Sequence, residues 1–169
     1  MVESVIDTET EKNILHEIIS KHDYIHEFRI QRIVYLSDII WYLKNNQRMT
    51  TFDYKFFKKG VFSSEMRNLL EELDERDIKT FSDFRVGNET YIYVERDDIS
   101  CIENETVRET IELAIGVTKE VSASELDSWS KETVPDLYPR SLIIFENLDK
   151  DRVTNVTLDY FPELSNFIT

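Results

Sequence analysis

The sequence predicts an α+β fold that is mostly helical, with a short strand and a β-hairpin among the helices. Glycine and proline are scarce, with three of each in 169 residues, far below the roughly 12% combined usage of an average chain. Apolar residues make up 41% of the chain and recur at helical spacing through several segments. Two β-prone runs also flank a Gly-Asn pair at residues 87 and 88. These observations predict a globular protein rich in helix with one tight hairpin.

Two helices are predicted at the start of the chain. Residues 8–22 place isoleucine and leucine side chains on one helical face, with Thr8 or Thr10 as the N-cap. Residues 28–44 are apolar around most of the helix circumference. Such a helix is surrounded by protein, so it should form the centre of the core.

An extended segment and a third helix should follow. Residues 50–57 alternate loosely between aromatic and polar side chains and end at a Lys-Lys-Gly sequence, which predicts a short strand or extended loop. Ser63 or Ser64 then offers an N-cap for a helix that reaches Arg76 with a narrow apolar stripe. This pattern is typical of a surface helix with one buried face.

The β-prone runs at residues 78–84 and 91–94 predict the hairpin. The connecting residues, Val86-Gly87-Asn88-Glu89, have a Gly-Asn centre that suits a tight turn. A helix followed by such a hairpin resembles the wing of a winged-helix domain. The predicted fold is therefore a helical domain with a short strand and a winged-helix-like β-hairpin.

Two further helices and a C-terminal segment complete the prediction. Asn104 can cap a helix that runs to about Val121, and Ser122 with Glu125 forms a capping-box pattern that opens a helix ending before Pro135. Residues 1–140 are expected to form one domain. Residues 141–169 carry two apolar clusters, so they are expected to pack back on that domain.

The charge distribution argues against a general nucleic-acid binder. The formal net charge is −14, and residues 1–60 are neutral overall, so the whole excess lies in residues 61–169. A long acidic surface repels phosphates, although one basic patch could contact them; its members are Arg48, Lys55, Lys58 and Lys59. The acidic residues themselves are expected to be solvated helix faces.

No targeting or membrane segment is recognised in the sequence. No stretch of about 18 apolar residues exists, and the first eleven residues lack the apolar core of a signal peptide. The single cysteine, Cys101, has no partner for an internal disulfide. We therefore expect a soluble cytoplasmic protein.

Catalytic signatures are weak throughout. His22 and His26 are four residues apart with Asp23 between them. This spacing is similar to a zinc-protease motif, except that aspartate stands where the motif has its glutamate base. A polar turn between two helices is the favoured interpretation. Acidic neighbours would raise the pKa of the Cys101 thiol and weaken it as a nucleophile. Glycine-rich phosphate-binding motifs and a nucleophile elbow are absent from the sequence. We predict no catalytic residue, metal ligand or cofactor, and hence no enzyme.

Three segments carry a resemblance to a known family. Arg29-Ile-Gln-Arg-Ile-Val-Tyr35 resembles the K-L-Q-K-L-V/L-Y helix of the Panacea domain family, the phage-associated and antitoxin proteins with SocA-like members, and of the related YwgA-type family. Phe57-Lys-Lys-Gly-Val-Phe-Ser63 is similar to that family's aromatic, basic, Gly-Pro-aromatic-Ser stretch, with Val61 where proline is usual. Ser124-Glu-Leu-Asp-Ser-Trp129, with Thr133 and Pro135, resembles a later segment.

The resemblance implies a single Panacea-like helical domain over residues 1–140 that acts by protein–protein contact. Members of the family neutralise a toxin or adapt a client to a protease, without catalysis or cofactor. We therefore expect a non-enzymatic interaction module, antitoxin-like or associated with a mobile element, that binds a toxin or host protein. The expected contact is an aromatic and basic turn whose residues are Phe57, Lys58, Lys59, Gly60 and Phe62. Two alternatives stay open: a winged-helix transcription regulator that binds DNA, and a metal-dependent hydrolase that uses His22 and His26.

Overall fold

The computed structural model describes residues 6–75, 81–86, 89–94, 102–135, 137 and 139–168. For the described residues from 74 to 94, only the backbone is described. This part of the chain contains seven α-helices. The helices are α1 (Thr8–Ser20), α2 (Glu27–Asn45), α3 (Ser64–Glu75), α4 (Glu105–Thr118), α5 (Ala123–Glu132), α6 (Lys150–Tyr160) and α7 (Ser165–Ile168). The strands are β1 (Ile25–His26), β2 (Lys55–Phe57), β3 (Gly60–Phe62), β4 (Phe81–Val86) and β5 (Glu89–Val94). The predicted turn residues Gly87 and Asn88, and Cys101, lie outside the described residues.

A three-stranded antiparallel sheet has the order β1-β5-β4. Strands β4 and β5 form the hairpin, with Phe81 opposite Val94 at one end and Val86 opposite Glu89 at the other. Strand β1, between α1 and α2, pairs with β5 through Ile25 opposite Ile92. Apart from β2 and β3, which lie between α2 and α3, the elements α1, β1, α2, α3, β4 and β5 follow one another as in a winged helix. The predicted α+β, mostly helical fold with a winged-helix-like hairpin is therefore confirmed.

A second hairpin, β2-β3, is inserted between α2 and α3. Phe57 lies opposite Gly60, and Lys58 and Lys59 form the turn. The segment after α5 extends this hairpin, because the backbone N–H of Phe56 donates to the Ser141 carbonyl at 3.0 Å and that of Ile143 donates to the Tyr54 carbonyl at 2.8 Å. The sequence predicted the first of these strands only. Strand β3 is three residues long and fully buried, so it has no alternating pattern to detect.

Helix α2 is the centre of the core. Its apolar side chains are buried on all sides, and it contacts α1, α4, α5 and α7. The prediction of a helix surrounded by protein is therefore confirmed. Residues of the C-terminal segment contribute to the same core through the buried side chains of Phe145, Phe161 and Leu164. The indole N–H of Trp129 donates to Thr157 Oγ1 at 3.1 Å and so links α5 to α6.

The predicted helix caps are correct for α4 and α5 and wrong for α1. Asn104 accepts from the backbone N–H of Val107, and Ser122 accepts from that of Glu125. Helix α1 is capped by Asp7, whose Oδ1 accepts from the Thr10 backbone N–H at 2.9 Å. The aspartate carboxylate satisfies the free N–H groups of the first turn and also complements the positive end of the helix dipole.

Within the described residues, no helix is both long enough and apolar enough to cross a bilayer.

Candidate functional site

Polar side chains interrupt the apolar surface of α2 and bind the segments packed around it. The buried polar residues are Gln31, Arg32, Tyr35, Ser37 and Asp38. Burying such groups is costly unless each finds a hydrogen-bond partner. Most of their partners lie in the β2-β3 hairpin, in the loop before it and in α5, so these side chains determine where those elements lie.

Gln31 fixes the start of α3. Its amide Nε2 donates to the Ser63 carbonyl at 2.9 Å, and its Oε1 accepts from the Ser63 backbone N–H at 2.9 Å. Ser63 Oγ in turn accepts from the backbone N–H of Met66. Both backbone groups of one buried residue are thus satisfied by a single side chain, which holds the end of the hairpin against α2.

Arg32 fixes the turn of the hairpin. Its Nη2 donates to the Lys59 carbonyl at 2.8 Å, and its Nη1 donates to the Val61 carbonyl. The same guanidinium lies 3.3 Å from Asp127 Oδ1 of α5, and its side chain is 2% exposed. Burial lowers the pKa of Arg32 and Asp127 opposes that change. The pair therefore joins three elements: α2, the hairpin and α5.

Gly60 is required where the hairpin crosses Arg32. Its φ of +126° is rarely adopted by residues with a side chain. A Cβ atom there would lie 2.3 Å from Ser130 Oγ and 2.8 Å from Arg32 Nη2. The next residue, Val61, donates its backbone N–H to Ser130 Oγ at 3.2 Å. The Panacea family usually has proline at this position, and proline has no N–H group to donate to Ser130.

Tyr35 and Asp38 continue this network along α2. The Tyr35 hydroxyl lies 2.8 Å from Thr133 Oγ1, and burial raises the pKa of Tyr35. Asp38 is fully buried and accepts from the backbone N–H groups of Met49 and Thr50, at 3.1 and 2.8 Å, and from the Tyr54 hydroxyl at 2.7 Å. The three segments that carry the Panacea resemblance therefore meet in one polar network built on α2.

The predicted partner-binding residues divide between surface and interior. Phe57 is half-buried, and Lys58 and Lys59 are exposed at the turn of the β2-β3 hairpin. Gly60 and Phe62 are buried. The Phe62 ring packs edge-on against Phe57, with centroids 5.7 Å apart. The exposed part of the predicted site is therefore Phe57, Lys58 and Lys59, while Gly60 and Phe62 position it.

Arg48, predicted to belong to a surface basic patch, is instead a packing residue. Its guanidinium lies 4.6 Å from the centroid of the Phe145 ring and donates to the Phe52 carbonyl. The side chain is 13% exposed and lies 4.0 Å from Asp38. The predicted four-residue patch is thus reduced to the lysines of the hairpin, because stacking and carbonyl contacts draw Arg48 inward.

A groove of about 910 Å³ opens beside the turn of the hairpin. Its walls come from the α1–β1 turn, the first turns of α2, the hairpin and the α4–α5 connection with α5. Its charged lining, without the histidines, comprises six cationic side chains and three carboxylates: Lys21, Arg29, Arg32, Lys59, Lys119 and Lys131, with Asp23, Glu120 and Asp127. Although the net charge of the chain is −14, the lining of this groove carries an excess of positive charge. We call it the basic groove.

The cations of the basic groove differ in their availability. Arg29 is anchored, because Nη1 donates to the Thr118 carbonyl at 3.0 Å and Nη2 donates to the Val121 carbonyl at 2.8 Å. Arg32 is buried, as described above. Among the described residues, no salt bridge involves any of the four groove lysines, Lys21, Lys59, Lys119 and Lys131.

His22 and His26 line the same groove but serve different helices. His22 follows α1, and its Nδ1 lies 2.6 Å from the Ile18 carbonyl. His26 is the N-cap of α2 and accepts from the Phe28 backbone N–H. Both histidines lie between α1 and α2, as predicted, but only His22 lies in the bend after α1, because His26 belongs to strand β1. Within the described ranges, no group of three histidine, cysteine or acidic residues is arranged to hold a metal ion.

The environment of His22 favours the neutral imidazole. Burial lowers its pKa, and Lys119 and Arg29 lower it further. The Ile18 carbonyl and Asp23 act in the opposite direction. Burial is the largest cause of the lowered pKa of His22, and two cations of the basic groove, Lys119 and Arg29, add to it.

Sequence reasoning missed most of this groove. Lys119 and Lys131 lie in the acidic part of the chain, about sixty and seventy residues after Lys59, and no local pattern marks them. Lys59 was singled out because its neighbours are aromatic and basic. The packing of α5 against the hairpin brings Lys131 to the same opening as Lys59, and the preceding α4–α5 connection adds Lys119.

Comparison of the chain with protein-family models, with curated proteins and with solved structures finds no match in any of the three. The resemblance to the Panacea family stays a prediction made from the residues themselves.

Proposed function

We propose that this protein is a non-enzymatic, antitoxin-like interaction module of the cytoplasm that acts by binding a toxin or a host protein. The observation that carries the proposal is the basic groove next to the exposed turn of Phe57, Lys58 and Lys59, on a chain that is otherwise strongly acidic. Aromatic residues beside cations are frequent in the energetically dominant parts of protein interfaces.

The chemistry of the buried residues supports an interaction module. Gln31, Arg32 and Asp38 have the residue types that catalytic sites use, yet each one binds backbone groups of this chain. Arg32 holds the hairpin turn in place, Gln31 holds the end of the hairpin and Asp38 holds the loop before it. A rigid, preformed turn lowers the entropy cost of binding a partner.

The experiment is affinity capture with the tagged full chain from lysate of its source cells. The variant Lys58→Glu/Lys59→Glu should lose a protein that the wild type retains in stoichiometric amount. The matched control Lys44→Glu/Lys150→Glu changes two exposed lysines outside the hairpin, in α2 and α6, by the same charge and should retain it. Loss from both variants, or from neither, would contradict a contact at the hairpin turn.

DNA binding is the second candidate function, and the strand order β1-β5-β4 with α3 before the hairpin favours it. The exposed positions of α3 argue against it, since Glu65, Glu71 and Glu72 are exposed and Arg67 is paired with Glu27 at 2.7 Å. Like charges repel the DNA backbone. Recovery of nucleic acid without protein in the same capture, released by added salt, would establish this alternative.

A further inference from the structure

We propose that the basic groove binds an acidic, carboxylate-rich segment of the partner polypeptide. This inference rests on the proposed function and adds the chemistry of the bound segment. It is carried by three features of the groove: the charge of its lining, the availability of its lysines and the apolar surface that it offers.

The charge of the lining is opposite to that of the whole molecule. Six cations face three carboxylates in the groove, whereas acidic residues outnumber basic ones by 34 to 20 in the chain. Field lines concentrate in a cleft whose walls carry one sign of charge. An acidic segment is therefore attracted into the groove while the remaining surface repels it, which selects both the site and a short length of ligand.

The lysine ammonium groups are the available cations. Lys21, Lys59 and Lys119 are exposed and Lys131 is partly exposed, and among the described residues none of them makes a salt bridge. A lysine presents a mobile point charge on a flexible stem. Such groups adapt to carboxylates at irregular spacing along a peptide, whereas the anchored Arg29 and Arg32 define the floor of the site.

The groove offers limited apolar surface for one ligand side chain. Tyr24 at its rim is 54% exposed and Phe28 is half-buried, whereas Ile25 and Leu126 are buried. A volume of about 910 Å³ lies within the range of about 300–1,000 Å³ typical of ligand pockets. A segment that combines carboxylates with an aromatic or aliphatic residue therefore matches the groove better than carboxylates alone.

A polypeptide fits this site better than a nucleic acid. A nucleic-acid strand carries a phosphate about every 3.4 Å along its whole length, so a strand longer than the groove would bring further phosphates close to a chain whose net charge is −14. In an acidic segment of a protein, by contrast, the charged residues can be confined to a short stretch. The negative net charge of the chain thus disfavours long polyanions more than a short one.

The test is direct binding of a short fluorescent peptide, made of glutamate and aspartate with one central phenylalanine, to the full-length protein. We expect the variant Lys119→Gln/Lys131→Gln to bind it about tenfold more weakly than the wild type. The matched control Lys44→Gln/Lys55→Gln, which removes the same charge outside the groove, should bind within about twofold. Affinity should also fall between about 0.1 and about 1 M salt, over which the Debye length shrinks from about 10 to about 3 Å.

Two outcomes overturn the inference. Equal weakening in the groove variant and the control would show that only net charge matters. Tighter binding of a single-stranded oligonucleotide than of the peptide would assign the groove to nucleic acid. If the capture experiment identifies a protein partner but the peptide does not bind, the chemistry proposed here fails while the interaction function stands; thermal melts of each variant show that loss of binding is not loss of folding.

Discussion

At Gly60, both the backbone conformation and the close packing require glycine. We predict that Gly60→Ala lowers the free energy of unfolding by about 3 kcal/mol, because the residue keeps a φ of +126° and its new Cβ would meet Ser130 Oγ at 2.3 Å. Neither Ser130 nor the buried Arg32 can move away without losing a hydrogen bond. Urea unfolding followed by circular dichroism measures the change.

Gly116 provides the control for that substitution. It lies within α4, is exposed, and has nothing within 4 Å of the position of a Cβ atom. Gly116→Ala should therefore raise the free energy of unfolding by up to about 1 kcal/mol, since alanine loses less backbone entropy in a helix. If both substitutions changed the free energy of unfolding in the same direction, the close contacts at Gly60 would not explain why glycine is needed there.

The sequence predicted the presence of α2 but not the roles of its polar residues. Its apolar periodicity is local, so it can be detected in the chain. The partners of Arg32 lie 27 and 29 residues away in the hairpin, and that of Tyr35 lies 98 residues away. Which carbonyl a buried guanidinium meets depends on tertiary packing, and no pattern within the helix reports it.

At the scale of elements, the loop between α2 and β2 depends on one carboxylate. We predict that Asp38→Ala lowers the free energy of unfolding by about 3 kcal/mol, because two backbone N–H groups and the buried Tyr54 hydroxyl would lose their acceptor. Chemical denaturation measures the total, and amide exchange at Met49 and Thr50 localises it. Asp53→Ala, an exposed carboxylate in the same loop, should change stability by less than about 0.5 kcal/mol. Similar losses in both variants would refute the assignment to Asp38.

Elements with strong local signals were predicted well, and those defined by long-range pairing were not. Helices α4 and α5 begin at the residues their caps indicate, and the β4-β5 hairpin lies around the predicted turn. Strand β3 was missed because it is short and buried on every residue. The cap of α1 was misplaced because Asp7, Thr8 and Thr10 are all good N-cap residues and only the local geometry selects among them.

At the scale of the whole molecule, the sequence correctly showed where the acidic excess lies but not where positive charge gathers. Dividing the chain at residue 60 assigns all of the net charge to the second part. The fold then places Lys119 and Lys131 of that part opposite Lys59 of the first. A local electrostatic feature made by three distant segments has no counterpart in a linear charge profile.

The same electrostatics predict how stability depends on pH. The pKa of His22 lies below its ordinary value of 6.5 in the folded protein, so the unfolded chain takes up a proton first as the pH falls. The contribution of His22 is therefore complete above about pH 6.5 and declines below it. We predict that the difference in unfolding free energy between wild type and His22→Gln shrinks from about pH 7.5 to about pH 5.5.

Comparison with the variant isolates His22 from the other titrating groups. Burial raises the pKa values of Glu11 and Glu17, which adds stability as the pH falls toward those values, but both residues are present in each protein and cancel in the difference. Lys119→Gln removes one of the positive charges that lower the pKa of His22. In that background, His22 should therefore lose less unfolding free energy as the pH falls, and an NMR titration of the imidazole should give a higher pKa. An unchanged imidazole titration in Lys119→Gln would show that burial alone sets the pKa, and that the charge of the groove does not reach His22.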